Sequence, residues 1–303
     1  MADTGLDQTW PGTPGDAGAG QEVNWWVEAF KDEMWHLAQQ KGSKLRAKVR
    51  TRTVTGDATY AERLAASDPV AKTTRHQTTP LLDLQHSRRK ITMTDWLWND
   101  LVDAEDKRRM LVDPVSAYTT NAGYSMGRKW DDLVIAAAVG SSYDGTGTEV
   151  VFDTTNQQVD AGTTGMTIAK LTEAKYILDS NDVEDMDRCI VISPQELSQL
   201  LNTTEITSSD YNSVRALVKG EINTFMGFEF IVTTRLTDDA TNRNCFAFQK
   251  NAMLLAINKD TEIRRDERPD LSYALQVFAR FTANAGRIDD AGVVSILTAL
   301  VPA

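Results

Sequence analysis

The sequence predicts an α+β fold, and three observations carry the prediction. Behind Asp113-Pro114, the residues Val115, Tyr118, Ala122, Met126, Leu133 and Ala137 recur at three-, four- or seven-residue steps, a helical period. In the last third, Tyr273, Leu275, Val277, Ala279 and Phe281 alternate with their neighbours, the period of a strand. Helices and strands succeed one another without a regular strand–helix repeat, which argues against a doubly wound parallel sheet.

The chain has 303 residues, 41% apolar and 25% charged, the balance of a globular protein with enough length for one large domain or two. Its net charge of -11 repels nucleic acid overall, so contact with DNA would need a local basic patch. Cys189 and Cys245 lack metal-ligand spacing and read as buried thiols of a reducing compartment. The opening residues show no basic n-region or apolar h-region, so no signal peptide is expected. The longest purely apolar run, Leu133 to Val139, is too short to span a bilayer, and no membrane contact is expected.

In chain order, residues 1–20 hold five glycines and two prolines and read as a flexible arm. Val23, Trp26, Val27, Phe30, Met34 and Leu37 then predict a short aromatic helix ending before Gly42. Next comes a strand pattern: Lys44, Arg46, Lys48, Arg50 and Arg52 alternate with smaller or apolar residues, which predicts five cations on one strand face. Gly56-Asp57 marks a turn, and Pro69 and Pro80 punctuate the remainder of the stretch. From Gly42 to Ile91 the charge is +7, while the rest of the chain carries -18. With few large apolar residues, this stretch reads as a long basic loop projecting from an acidic body.

Thr94 to Met110, with Trp98, Leu101 and Val102, predicts a helix. Asp113 as N-cap and Pro114 at the first helical position open a longer one to Val139, a rod of roughly 39 Å. Ser141 to Gly165 is polar and glycine-bearing. Ile168, Leu171, Ala174, Ile177 and Leu178 predict a helix, and Cys189–Ile192 a buried strand. Ser193-Pro194-Gln195-Glu196 is a capping box, a specific helix start. Strands are predicted at Phe228–Val232, Phe246–Phe248, Met253–Ile257, around Tyr273–Phe281 and at Val293–Leu300.

No chemistry stands out. The sequence lacks a Gly-Lys-Ser/Thr phosphate loop and a dinucleotide fingerprint; no catalytic, cofactor or metal-ligating residue is assigned. His36 in Glu33-Met-Trp-His36 reads as a packed helix residue, and His76 and His86 as solvated loop residues. Asp182, Glu184, Asp185 and Asp187 fail the spacing of a calcium loop and read as a solvated connection. Asn202-Thr203-Thr204 fits a glycosylation sequon, which carries no weight without a secretion signal. The basic strand remains. Its cations need counter-charge from the acidic body of the same chain, from a neighbouring copy, or from nucleic acid. Tyr60 is the one aromatic residue between Gly42 and Ile91, a poor stacking platform, so a neighbouring copy is the favoured partner.

This order of elements resembles the tailed-phage major capsid protein, whose Hong Kong 97-type fold is shared with encapsulin shells. The resemblance rests on Asp113-Pro114 leading to Gly127-Arg128-Lys129-Trp130-Asp131-Asp132, on Ile190-Val191-Ile192-Ser193-Pro194, and on Gly220-x-Ile222 before Gly227-Phe228-x-Phe230. It implies an N-terminal arm and aromatic helix (1–42), an extended E-loop (43–92), and a peripheral domain (93–165) with a spine helix at 114–140. An axial domain (166–258) and return strands (259–303) complete it. The implied function is structural and not enzymatic: self-assembly through hexamers and pentamers into an icosahedral head enclosing double-stranded DNA without sequence-specific contact. The basic face of the E-loop, Lys44, Arg46, Lys48, Arg50 and Arg52, would touch the adjacent subunit. A separate scaffolding protein, a portal and decoration proteins are the further partners implied, with assembly in the bacterial cytoplasm and residence in the virion. Two alternatives stay open: an encapsulin-type compartment shell, and a nucleic-acid-binding protein using the basic hairpin.

Overall fold

A computed structural model describes residues 37–103, 105, 114–201, 224–239 and 241–300. Its strands are β1 (Arg50–Thr53), β2 (Ala58–Leu64), β3 (His86–Thr92), β4 (Asp95–Val102), β5 (Ser142–Asp144), β6 (Glu149–Val150) and β7 (Gln158–Val159). They continue with β8 (Arg188–Ile192), β9 (Thr224–Phe225), β10 (Phe228–Val232), β11 (Asn242–Gln249), β12 (Met253–Arg268), β13 (Ala274–Arg287) and β14 (Val293–Ala299). Among the described residues the helices of eight residues or more are α1 (Pro114–Val139), α2 (Ile168–Ser180) and α3 (Pro194–Leu201). This is the expected mixture of helices and sheets.

The long helix α1 covers the predicted span. Ala122, Met126, Trp130, Val134 and Ala138, each four residues after the last, are all buried, so one stripe runs along it. Its C-terminal carbonyls are capped from outside the helix. Arg287, 1% exposed, donates from Nη1 to Ala138 O (3.0 Å) and Gly140 O (2.8 Å).

A six-stranded sheet has the order β7-β14-β11-β8-β10-β9. β8 and β10 are parallel, with Val191 opposite Ile231, while β11 runs antiparallel to β8 with Ala247 opposite Ile190. α2 and α3 pack on it through Leu171, Ala174, Leu178 and Leu200, which share a core with Ile190, Ile192, Cys245 and Ile296. The capping box forms as predicted: Ser193 N donates to Glu196 Oε2 (3.1 Å) and Gln195 N to Ser193 Oγ (3.2 Å). Lys170, buried without a carboxylate partner among the described residues, donates to the carbonyls of Ala161, Thr164 and Leu297 at 2.7, 2.8 and 3.0 Å. Its burial pulls its pKa down.

Two four-stranded sheets complete the described structure, ordered β1-β12-β13-β4 and β2-β3-β5-β6. β2 and β3 form an antiparallel hairpin from Ala58 opposite Thr92 to Leu64 opposite His86. A small core of Ala61, Ile91, Met93, Leu254 and Ala256 lies at its foot. The chain divides into two compact units. The larger takes in 40–97, 125–262 and 280–303, and the smaller 1–39, 98–124 and 263–279. Within the smaller, Gln276 Nε2 donates to Asn99 Oδ1 (2.7 Å), and the turn after β12 passes through Ser272 and Tyr273 at positive φ.

Three expectations need correction. Residues 44–53 are not one strand: Arg46–Lys48 is a 3-10 turn, and β1 begins only at Arg50. Leu45 and Val49 are buried while Ala47 is exposed, so the spacing that governs is four rather than two. The first half of the helix predicted over 94–110 is instead a strand from Asp95 to Val102, alongside β13, while residues 104 and 106–110 lie outside the described residues. Residues 37–41, the expected end of the aromatic helix, are not helical. The arm, the rest of that helix with His36, Asp113 as N-cap, Gly220-x-Ile222 and the Asn202 sequon lie outside the described residues.

The polar stretch after α1 contributes β5, β6 and β7. Both cysteines are buried free thiols, and desolvation pushes Cys189 up to about 11 and Cys245 up to about 12. His76 and His86 are exposed. The acidic connection after α2 wraps a guanidinium: Arg188 meets Asp179 (2.6 Å) and Asp185 (2.9 Å), and donates to the carbonyls of Glu184 and Val183.

Candidate assembly interface

The segment carrying the predicted cations is held from below by one carboxylate. Asp131 projects from α1 and is fully buried. It accepts from Gln40 Nε2, Ser43 Oγ, Lys44 N (3.0 Å) and Leu45 N (3.0 Å). Ser43 Oγ in turn accepts from Arg46 N (3.0 Å), which fixes the 3-10 turn. The carboxylate therefore does for this turn what a capping residue does for a helix.

One turn earlier on α1, Gly127 lets the backbone of the same segment approach. A Cβ there would stand 2.5 Å from Gly42 Cα and 2.8 Å from Gly42 C. Gly127→Ala should therefore push the segment off the helix and weaken the Asp131 cradle, since backbone cannot rotate away as a side chain can. The expected result is a loss of about 1–3 kcal/mol, the range for overpacking. It would be read as a lower denaturation midpoint of unassembled subunits; an unchanged midpoint would mean that this approach is not tight.

Four of the five cations have partners within their own chain, Arg52 by one long bond from Nη1 to Tyr60 O (3.4 Å). Lys44 Nζ donates to Val232 O (2.7 Å). Arg46 forks onto Asp260 at 3.0 and 2.6 Å and lies 4.5 Å over the Trp130 ring, which itself stacks on Phe281 at 4.4 Å. That pairing holds Asp260 below the usual carboxylate range. Lys48 meets both oxygens of Glu229 at 2.5 and 2.7 Å, a contact that raises the lysine pKa. Arg235, just past β10, closes on Asp132 of α1 with Nη2 at 2.7 Å. Arg50 and Arg52 differ. They sit on β1, exposed along its whole length at a sheet edge, and form no ion pair among the described residues.

The hairpin foot has a second charged centre that no sequence signal marks. Asp290 receives Arg287 Nε at 2.7 Å and the Arg89 guanidinium of β3, with Arg63 of β2 at 3.6 Å. Arg63 also donates to Ile288 O (2.9 Å). One carboxylate thus joins both strands of the hairpin to the arginine that caps α1. Beyond this foot the strand pairing ends at Leu64 and His86, and Ala65 N donates to Gln85 O (3.0 Å) as the last rung.

Among the described residues no group of three or more His, Cys, Asp or Glu side chains could hold a metal ion. A neighbouring cavity of 430 Å³ is lined by Glu62, His86, Ser87, Arg88, Asp144, Gly145 and Thr146, an open polar recess beside the hairpin. What the geometry offers is a rigidly rooted hairpin with an outward loop.

Comparison with known proteins agrees with that architecture. A family model described as phage capsid protein matches residues 23–299. No curated protein matches. Among solved structures, the capsid of cyanophage P-SCSP1u superposes with a TM-score of 0.68 at 14% identity, covering 90% of this chain and 94% of that one. The capsid of Ralstonia phage GP4 gives 0.67 at 12% identity over 89% and 95%. A chain of Mycobacterium phage Che8 gives 0.65 at 15% over 88% and 97%. At such identities the structures speak for the fold, the Hong Kong 97-type capsid fold, and the family model speaks for membership. The chain belongs to the phage capsid protein family, as a major capsid protein of a phage head.

Proposed function

We propose that copies of this chain assemble through hexamers and pentamers into a closed icosahedral shell around double-stranded DNA, each copy laying its 43–92 hairpin on the next. The observation that carries this reading is the hairpin itself. It is rooted at Asp131 and Asp290, yet its loop from 66 to 84 makes no hydrogen bond to the rest of its own chain among the described residues. An extended loop without a partner in one copy is completed by contact with another.

On this reading α1 is the spine of the peripheral domain. The axial domain, 166–258, supplies α2, α3 and four strands of the six-stranded sheet; β7 and β14, which pair into that sheet, come from outside those bounds. The role is structural, the site is the virion, and assembly takes place in the bacterial cytoplasm. A separate scaffolding protein, a portal and decoration proteins would complete the particle. Acidic net charge suits a lining that packaged DNA must slide over.

Electron microscopy and light scattering of purified full-length chain test the reading. Closed shells that package phage DNA support it. Shells loaded with protein cargo would point to a cellular compartment, and a chain that stays monomeric at all concentrations would overturn assembly altogether. The basic face has its own test. Lys44, Arg46 and Lys48 are committed within the subunit, so intersubunit electrostatics fall to Arg50 and Arg52. Arg50→Glu with Arg52→Glu should leave the subunit's midpoint unchanged, because exposed charges are individually worth about 0–1 kcal/mol. Assembly should need more salt, as like charges meet across an interface. Equal assembly of variant and wild type at low salt would remove these residues from the contact.

A further inference from the structure

We propose that the descending arm of the hairpin loop, Pro80 to Leu84, is the apolar anchor by which one copy seats on a second copy of this chain. This rests on the hairpin-on-neighbour reading above, and names the residues that do the holding. They are leucines, not the cations.

The ladder between β2 and β3 stops at Leu64 and His86. Between Ala65 and Gln85 the described hydrogen bonds are local, Thr73 and Thr74 to Gln77 Oε1. Along this unsupported stretch Leu81 is 96% exposed, Leu82 51%, Leu84 38% and Val70 53%, with Leu64 at 60% beside them. A lone exposed leucine means nothing, but three within four residues on an arm with no underlying core form a patch that water should not keep.

Electrostatics cannot hold this tip. Asp68, Lys72, Arg75 and Asp83 leave it without net charge, apart from His76. The positive charge of the excursion lies mainly at its foot, where Lys48 and Arg46 answer to Glu229 and Asp260, and Arg63 and Arg89 to Asp290. The leucines are what the tip has to offer.

The occupant we assign is a second copy. A capsid presents its subunits with surfaces of the same chain, and the +7 excursion matches a body that carries -18. Arg50 and Arg52, exposed and without an ion pair among the described residues, orient the approach, and burial of the leucines holds it. Nucleic acid is disfavoured by a neutral tip without Phe, Trp or Tyr between Ala65 and Gln85.

The test is Leu81→Ser with Leu82→Ser in the full chain. The far-UV circular dichroism and thermal midpoint of unassembled subunits should match wild type, while particle yield under identical conditions falls at least tenfold. Leu81→Met with Leu82→Met, which keeps the apolar character, should restore the yield. A serine variant that assembles as well as wild type overturns the anchor while leaving the shell reading intact. A serine variant whose free subunit melts earlier also overturns it, because the leucines would then pack within their own chain. If wild type itself forms no particles, the shell reading fails and the anchor fails with it.

Discussion

Asp131→Ala should cost about 3–5 kcal/mol and lower the melting midpoint of unassembled subunits by roughly 10 °C. The carboxylate is fully buried and serves four donors, two of them the backbone N–H groups of Lys44 and Leu45. Removing it leaves those groups without acceptors at a site closed to water, at about 1–3 kcal/mol each. The loss spreads along the chain. Leu45 and Val49, both buried, sit at the two ends of the turn that Asp131 organises, so the turn's release exposes apolar area as well. Asp131→Asn should fall between, since one amide oxygen still accepts while its NH₂ group faces N–H donors. Shell assembly should fail in the alanine variant even where soluble protein survives, because Lys44 and Lys48 would lose the geometry that takes them to Val232 and Glu229. A midpoint within 2 °C of wild type, on the order of 1 kcal/mol or less, would show that the segment is held by Leu45 and Val49 alone.

Two of the three corrected expectations, at 44–53 and 94–110, share one physical cause. Leu45, Ala47 and Val49 satisfy period two, and Leu45 with Val49 equally satisfies period four. Local sequence cannot choose between them. The choice is made by Asp131, 86 residues away from Leu45, whose oxygens demand a turn. Residues 94–110 pose the mirror problem. Trp98, Leu101 and Val102 fit a helix, while Trp96 and Trp98 fit a strand, and the decision comes from β13 lying alongside. Where local signals were unambiguous the elements were legible. Pro114 and the recurrence from Val115 to Ala137 at three-, four- or seven-residue steps mark α1, Ser193-Pro194-Gln195-Glu196 marks α3, and the alternation from Tyr273 marks β13. The candidate interface was legible as a location and not as a mechanism. The charge excursion from 42 to 91 marks the hairpin, but nothing in the sequence says that Arg46 and Lys48 find Asp260 and Glu229 in their own chain. Gly127 and Asp131, spaced four apart, were available as a signal for a segment crossing α1. Asp290 gave none, since its partner Arg89 lies 201 residues away.

That same Asp290 is where the hairpin should be most vulnerable. Asp290→Asn removes the one carboxylate among the described residues that faces Arg287, Arg89 and Arg63, the first two of which have almost no exposed side chain. Their charges would remain, close together and with little water, and breaking a pair this way costs about 3–5 kcal/mol when buried. Because Asp290 itself is 32% exposed, the lower end of that range, about 3 kcal/mol, is expected. The damage should be local. Arg287 keeps its bonds to Ala138 O and Gly140 O, so α1 retains its cap, whereas β2 and β3 lose the tie that Arg63 and Arg89 provide. Amide hydrogen exchange should therefore quicken across 58–64 and 86–92 while β8 and β11, deep in the six-stranded sheet, stay protected. Adding Arg89→Met to Asp290→Asn should recover part of the loss, since it deletes one of the stranded charges and residues in one network do not add independently. Shells built from the single variant should be scarce or irregular, because a hairpin free at its foot reaches its neighbour at many angles. Uniformly faster exchange throughout the chain would instead assign Asp290 to the global core, and unchanged exchange in the hairpin would mean that β-sheet pairing with β5 alone sets its position.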